Sequence, residues 1–227
     1  MPTAIITGAS RGLGLALARA LAGEGYRLVI DARTATDLEA AARSLGGEVT
    51  ALAGDVADPA HRAALVAAAG DRIDLLVNNA SVLGPSPQPG LADYPLAVLE
   101  DVYRVNVLAP LALIQLALPL MPEGATIVNV TSDAAVEPYE GWGGYGSAKA
   151  ALDQLSAILA AEHPGLRVHA VDPGDMRTQM HQEAFPGEDI SDRPLPEESV
   201  PGLLTLIRGD TPSGRYRAAD VAPELAA

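Results

Sequence analysis

The sequence contains no cysteine. That excludes disulfides, Cys-ligated zinc, iron–sulfur clusters and thiol nucleophiles together. Basic residues are scarce too: 15 Lys and Arg stand against 29 Asp and Glu, for a formal net charge of −14. A chain this acidic repels phosphate backbones at long range, so no nucleic-acid partner is expected. A phosphorylated small molecule would need locally placed cations. Long apolar runs are also missing. The longest, Val107 to Met121, contains Pro110, Gln115 and Pro119 and falls short of the ~20 residues of a spanning helix. It reads as a buried core or interface helix. The first residues, Met1 to Gly8, have no basic leader, and their apolar run is too short for a signal peptide. The expectation is a cytoplasmic protein with no membrane partner.

Aromatic residues are only 4% of the chain, while hydrophobic residues of all kinds make up 48%. Small and aliphatic side chains of this sort suit close packing of helices on a sheet. Short apolar runs occur at Ala4–Thr7, Leu28–Ile30, Val49–Leu52, Leu75–Val77, Ile127–Val130 and Val168–Val171. Each is bounded by Gly, Asp, Asn or Pro, as in strands buried on both faces. Between them lie segments with helical spacing: Leu13–Ala22, Asp37–Ser44, Pro59–Ala69, Leu96–Leu120 and Tyr145–Glu162. Ser199–Ile207 reads as a last helix and Ser213–Arg217 as a short final strand. The alternation predicts an α/β fold, a doubly wound parallel sheet with helices on both faces. No linker or repeat divides the 227 residues, so one domain over 1–227 is expected. Gly84 to Gly90 reads as a loop, and the acidic, Pro-rich stretch at about 175–200 as a lid.

The first strand runs into Thr7-Gly8-Ala9-Ser10-Arg11-Gly12-Leu13-Gly14 and then a helix. Glycines let the backbone turn tightly and approach a ligand, and the helix N-terminus offers free N–H groups to a pyrophosphate. The spacing G-x-x-x-G-x-G differs from the G-x-G-x-x-G fingerprint. A Gly-rich turn with no ligand is the competing reading.

Here the sequence resembles the short-chain dehydrogenase/reductase family, whose single-domain members carry TGxxxGxG at this place. Further motifs recur in order over nearly the whole chain. Asp55-Val56 follows the third strand, where the family contacts adenine. Asn78-Asn79-Ala80 resembles the family's NNAG, with Ser81 in place of the usual glycine. Asn106, Ser132, Tyr145 and Lys149 match the catalytic tetrad, the last two as YxxxK. Pro173-Gly174 with Thr178 resembles the PGxxxT segment that holds the nicotinamide. The resemblance implies a Rossmann-type fold and an oxidoreductase interconverting an alcohol with a ketone or aldehyde. It also implies a cofactor site at Gly8, Ser10, Arg11, Gly12, Leu13, Gly14, Asp55, Val56, Asn79, Ala80, Tyr145, Lys149, Pro173, Gly174 and Thr178.

The chemistry of the four residues is consistent with that role. Tyr145 and Lys149 share one helix face. A phenol with a pKa near ~10 is a poor acid–base group at neutral pH, and a neighbouring ammonium favours its phenolate. Tyr145 would pass a proton to the substrate oxygen and Ser132 would hydrogen-bond that oxygen. By resemblance, Lys149 also holds the cofactor ribose, and Asn106 supports a water-linked proton relay. Taken singly, each has a bland alternative: a packing Tyr, a capping Ser, a helix-start or loop Asn.

Two cofactors compete at the end of the second strand. Asp31 lies where an acidic residue would select NAD(H), but the family's acid corresponds to Ala32, and a one-residue offset turns Asp31 to the other face. Arg33 and Arg11 are placed to form a cationic pocket for a 2′-phosphate. NADP(H) is favoured and NAD(H) stays open. The histidines His61, His163, His169 and His181 have no metal-ligand spacing, so no metal is expected, and His181 reads as a solvated loop residue.

Met176, Met180 and Phe185 in the lid, with Tyr139 and Trp142, either wall an apolar substrate pocket or pack the lid on the body. The short tail, with Pro196-Glu197-Glu198-Ser199 and Ser213-Gly214-Arg215, resembles small bacterial carbonyl-reductase-like members and lacks the glycine-rich ending of tetrameric ones. A homodimer through the helix after Asn106 is the expected assembly. Against an enzyme acting on a small carbonyl or alcohol stand two rivals: a non-catalytic nucleotide sensor or partner-binding protein, and an NAD-linked alcohol dehydrogenase.

Overall fold

The structure, a computed structural model, describes residues 1–223. Seven strands form one sheet: β1 Thr3–Ile6, β2 Arg27–Ala32, β3 Val49–Ala53, β4 Leu75–Asn78, β5 Thr126–Val130, β6 Arg167–Asp172 and β7 Gly214–Arg217. Every pairing is parallel and the order is β3-β2-β1-β4-β5-β6-β7. Between them run α1 Gly12–Gly23, α2 Ala35–Ser44, α3 Pro59–Ala69, α4 Leu96–Tyr103, α5 Ala109–Ala117, α6 Gly143–Glu162, α7 Gln179–Ala184, α8 Val200–Arg208 and α9 Ala218–Val221.

The strands alternate between two apolar layers, as a two-residue side-chain period requires. Ile5, Val29, Leu76, Ile127 and Val168 pack with α3 and α5 through Leu65, Leu113 and Ile114. Ile6, Leu28, Ile30, Val77, Val128 and Val171 pack on the other side with Leu17 and Leu21 of α1 and Leu203 and Leu206 of α8. Register keeps the layers separate: Ile5 lies opposite Val29 and Leu76, and Leu76 opposite Ile127. The strand order reverses between β1 and β4. The crevice beyond their carboxyl ends is where such sheets bind ligands.

Two segments add to their sequence reading, the first keeping its helical span and the second gaining a helix. Leu96–Leu120 is helical throughout, 25 residues at a mean hydropathy of 1.4, so by length and composition it is able to cross a membrane. In the fold it turns Val102, Val107, Leu113 and Ile114 into the core. It is also irregular: a π-helical turn, Arg104–Leu108, joins α4 to α5. Pro110 explains the irregularity. It has no N–H to give, and its ring crowds the carbonyl four residues back, which belongs to Asn106. Asn106 therefore sits inside a long helix rather than at a helix start or in a loop.

The stretch at about 175–200, read from the sequence as a lid, is the second case. It contains α7, which Thr178 caps by accepting a hydrogen bond from His181 N–H at 3.2 Å. His181 is not a solvated loop residue. Its side chain is 10% exposed and its ring lies 4.8 Å from that of Phe185. An apolar helix face buries the imidazole more effectively than an open loop would.

Candidate active site

At the end of β1 the chain turns through Gly8, at φ +66°, and Gly12, at φ +57°, both in the left-handed region. A Cβ on Gly8 would lie 2.9 Å from Ala80 Cα, and one on Gly14 would lie 2.5 Å from the Gly8 carbonyl oxygen. Only glycine lets the turn, α1 and the end of β4 meet so closely. Thr7 and Asn79 then fasten the two loops. Thr7 Oγ1 accepts from the N–H groups of Asn79 and Ala80 at 3.0 Å each, and Asn79 Nδ2 donates to the carbonyls of Thr7 and Gly8 at 2.8 and 3.1 Å.

Asp31 belongs to the same framework. It is 1% exposed, accepts from Gly8 N–H at 2.7 Å and meets His61 Nε2 at 3.0 Å. Both carboxylate oxygens are thereby engaged, in keeping with a side chain turned away from a ribose. The histidine partner was not legible in the sequence, because the 30 residues between them carry no shared motif.

A cleft of about 1210 Å³ opens over this turn. Gly8, Ser10, Arg11, Gly12, Leu13, Arg33, Asp55, Val56, Asn79, Ala80, Ser132, Tyr145, Lys149, Pro173, Gly174 and Thr178 all line it. Two expected site residues do not: Gly14 packs behind the turn, and Asn106 is buried behind the wall. Thr178 reaches the cleft, but its hydroxyl oxygen is occupied in capping α7.

The cleft suits a dinucleotide phosphate. The first turn of α1 carries no acidic residue and no side chain caps it, so its N–H groups face the opening unclaimed. Arg11 and Arg33 make no ion pair among the described residues. No group of three or more His, Cys, Asp or Glu able to hold a metal ion occurs there.

Ser132, Tyr145 and Lys149 meet at the other end. Gly146 makes this possible: a Cβ there would lie 2.6 Å from the Ala134 carbonyl oxygen, so α6 approaches the backbone just after Ser132. A buried chain of amides fixes α6 against the sheet. Asn78 Nδ2 donates to Asn129 Oδ1, and Asn129 Nδ2 to Ser156 Oγ, both at 2.8 Å. Lys149 is 2% exposed and donates to the Val130 carbonyl at 2.8 Å. Its Nζ stands 5.4 Å from the centre of the Tyr145 ring. Ser132 Oγ donates to Asp133 Oδ1 at 2.9 Å and accepts from Ala134 N–H at 3.2 Å.

Titration in this corner is governed first by burial. Burial pushes the Tyr145 phenol above its ordinary value. The Ser81 hydroxyl opposes the rise, Asp172 and Asp133 add to it, and Ser132 opposes it. Burial lowers the Lys149 ammonium to about 8, against the pull of Asp153. The ammonium that the sequence places beside the phenol is anchored on the Val130 carbonyl, and the rise reflects burial and the neighbouring acids set against the Ser81 and Ser132 hydroxyls.

Asn106 is fully engaged. Its Nδ2 donates to the Val82 carbonyl at 2.8 Å, and its Oδ1 accepts from Val82 N–H at 2.9 Å and from Ser81 Oγ at 3.1 Å. On the open side, Trp142 stands edge-on to Tyr145 at 5.8 Å and tilted to Phe185 at 5.9 Å. Leu83 and Met180 complete this apolar wall.

A parallel sheet with a glycine-rich nucleotide turn and a Ser–Tyr–Lys corner defines a dehydrogenase-like oxidoreductase. The chain belongs to the short chain dehydrogenase family, whose model matches residues 2–189. It is 34% identical over 192 residues to benzil reductase ((S)-benzoin forming) of Saccharomyces cerevisiae, covering 79% of this chain and 73% of that one. Sepiapterin reductase of Mus musculus is 34% identical over 199 residues, covering 79% and 76%. A Shigella flexneri 2a structure complexed with NADP superposes with a TM-score of 0.87 at 26% identity, covering 96% of this chain and 97% of that one.

Proposed function

We propose that the protein is an NADP(H)-dependent oxidoreductase that interconverts an alcohol with a ketone or aldehyde. One observation carries the reading: Ser132, Tyr145 and Lys149 line the same cleft as the glycine-rich turn, Arg11 and Arg33. The NADP complex of the Shigella flexneri relative supports the choice of cofactor.

Bound NADP(H) supplies or accepts the hydride. In the reducing direction Tyr145 gives its phenolic proton to the substrate oxygen. Ser132 turns its hydroxyl from Asp133 to that oxygen and bears part of its developing charge. Lys149 holds a positive charge beside the ring, anchored on Val130. Asn106 keeps the loop at Ser81 and Val82 in register behind the phenol. The wall of Trp142, Phe185, Met180 and Leu83 favours an apolar carbonyl compound and excludes water when the lid at about 175–200 is closed.

The test is NADPH and NADH affinity measured side by side, followed by NADPH consumption against a carbonyl panel that includes benzil. Tight NADPH binding with turnover supports the reading. Binding without turnover on any carbonyl would favour a nucleotide sensor. Preference for NADH would favour the NAD-linked dehydrogenase.

A further inference from the structure

Asp133 opens the short turn after Ser132 and lines the cleft together with Ser132 and Tyr145. An ionised carboxylate donates nothing and accepts hydrogen bonds at about four lone-pair positions. Three donors reach this one. Oδ1 accepts from the Ser132 hydroxyl at 2.9 Å and from Ala134 N–H at 2.8 Å, and Oδ2 accepts from the Tyr139 hydroxyl at 2.9 Å. The Ala134 and Tyr139 bonds do not involve the reacting groups. The Ser132 bond does.

A serine hydroxyl has one proton. When Ser132 gives it to a substrate oxygen, Asp133 Oδ1 keeps Ala134 N–H and loses its other donor. Asp133 is half-buried, so water restores that bond only in part, and a charged acceptor short of a donor is costly. A plain ketone offers nothing in exchange, because the carbon next to its carbonyl carries only C–H. A ketone with a hydroxyl on that carbon brings its own donor, adjacent to the oxygen that Ser132 turns to meet. One neutral hydroxyl on Oδ1 is then replaced by another, with no change of charge in the corner.

From this geometry we propose that Asp133 is a specificity-determining residue that selects carbonyl compounds bearing a hydroxyl on the adjacent carbon. Its Oδ1 accepts from that hydroxyl as Ser132 turns to the carbonyl oxygen. The proposal rests on the carbonyl reduction given above and names its substrate class. The carbonyl carbon takes hydride from NADPH and its oxygen takes the Tyr145 proton, which leaves NADP+ and a vicinal diol. The adjacent hydroxyl is neither oxidised nor reduced. Leu83, Trp142 and Met180 face the apolar remainder of the molecule. Other acceptors nearby are committed. Asp172 Oδ1 holds Gly174 N–H at 2.9 Å, with Arg215 and Arg217 at 3.8 and 3.9 Å from its Oδ2. Asn106 Oδ1 holds Ser81 and Val82.

The experiment compares kcat/KM, at saturating NADPH, for α-hydroxyacetophenone, α-methoxyacetophenone and acetophenone. The methoxy ketone withdraws electrons as the hydroxy ketone does but has no donor, and acetophenone controls for size. Wild type is expected to favour the hydroxy ketone over each of the others by about tenfold or more. Asp133→Ala brings both ratios close to unity, and Asp133→Asn, which keeps an oxygen there without the charge, gives intermediate ones. Should Asp133→Ala lose all activity, the fall of the ratios in Asp133→Asn decides. A merely structural Asp133 would slow the three ketones alike and leave the ratios at their wild-type values, which overturns the proposal, as does a wild type with no preference for the hydroxyl. The two readings fail separately. Turnover of other panel carbonyls without α-hydroxyacetophenone sinks the Asp133 role alone, whereas no turnover of any carbonyl sinks the reduction on which it rests.

Discussion

Arg215, on the last strand, donates from Nη2 to the main-chain carbonyl of Ser132 at 2.9 Å. Its Nε donates to Asp153 Oδ2, also at 2.9 Å. Asp153 lies one helical turn beyond Lys149 and is the charge that supports the lysine's protonated form. One guanidinium thus ties the strand farthest along the chain to both the Ser132 loop and the Lys149 helix, a two-pronged contact that an ammonium cannot copy.

Replacing Arg215 by alanine is therefore expected to lower kcat about tenfold and to cost about 1–3 kcal/mol of stability. NADPH affinity should stay within about twofold, since the side chain is remote from the glycine-rich turn. Arg215→Lys should recover only part of kcat. Steady-state kinetics with denaturant unfolding separates these effects, and a full-rate Arg215→Ala would show that Ser132 holds its place unaided.

Tyr145→Phe removes the hydroxyl that the proposed reaction uses as its acid. Turnover should fall by about 10² to 10⁴, with NADPH affinity changed no more than a few-fold. Single-turnover measurements at saturating NADPH check this directly.

Arg11→Ala and Arg33→Ala should each weaken NADPH binding by about tenfold or more, as expected for a lost charged hydrogen bond to phosphate. NADH affinity should be untouched, because it carries no 2′-phosphate. Calorimetric titration of both cofactors is the measurement; equal losses for both would remove the phosphate pocket from the reading.

Asp31 gives a contrasting expectation. Asp31→Ala leaves Gly8 N–H and His61 without their partner, a loss of about 3 kcal/mol, but the ratio of NADPH to NADH affinity should not move. A shifted ratio would mean that the carboxylate does read the ribose.

His169 lies in the middle of β6, fully buried, with neither ring nitrogen hydrogen-bonded. Burial, aided by Arg167, lowers its pKa from 6.5 to about 4. Above pH 6.5 the imidazole is neutral folded or unfolded, so its titration does not change the stability. Between 6.5 and 4 the unfolded chain binds the proton and the folded protein does not. Stability is therefore lost as pH falls through that window, by up to about 1.4 kcal/mol per pH unit. His169→Leu should flatten this acid limb in a pH series of unfolding curves.

What the sequence made legible follows from how local each signal is. Gly8, Gly12 and Gly14 announce their turn because close approach admits no other residue there, and Tyr145 and Lys149 announce a shared face by their four-residue spacing. The apolar runs match the strands within a residue or two, since the central strands are buried on both faces and apolar at most positions. Other features depend on partners far along the chain. Asp31 needs His61 to show why it points inward, and Ser132 needs Arg215, 83 residues later. The irregular turn at Asn106 had a local cause in Pro110, but its consequence, a loop gripped at Ser81 and Val82, was visible only in three dimensions. Helix α7 was obscured by the prolines and acids on either side of it.

The parallel order of the sheet bears on how the molecule comes into being. No strand can pair with its neighbour through a tight hairpin, so every rung must close a long loop, and such topologies fold slowly. β1 is flanked by β2 and β4, and β4 is separated from it along the chain by two further strands and three helices. The Ser132 loop receives its clamp from β7 only when the residue 83 positions later has emerged. During synthesis the nascent chain therefore passes through a long interval in which the nucleotide turn can exist and the completed reaction corner cannot.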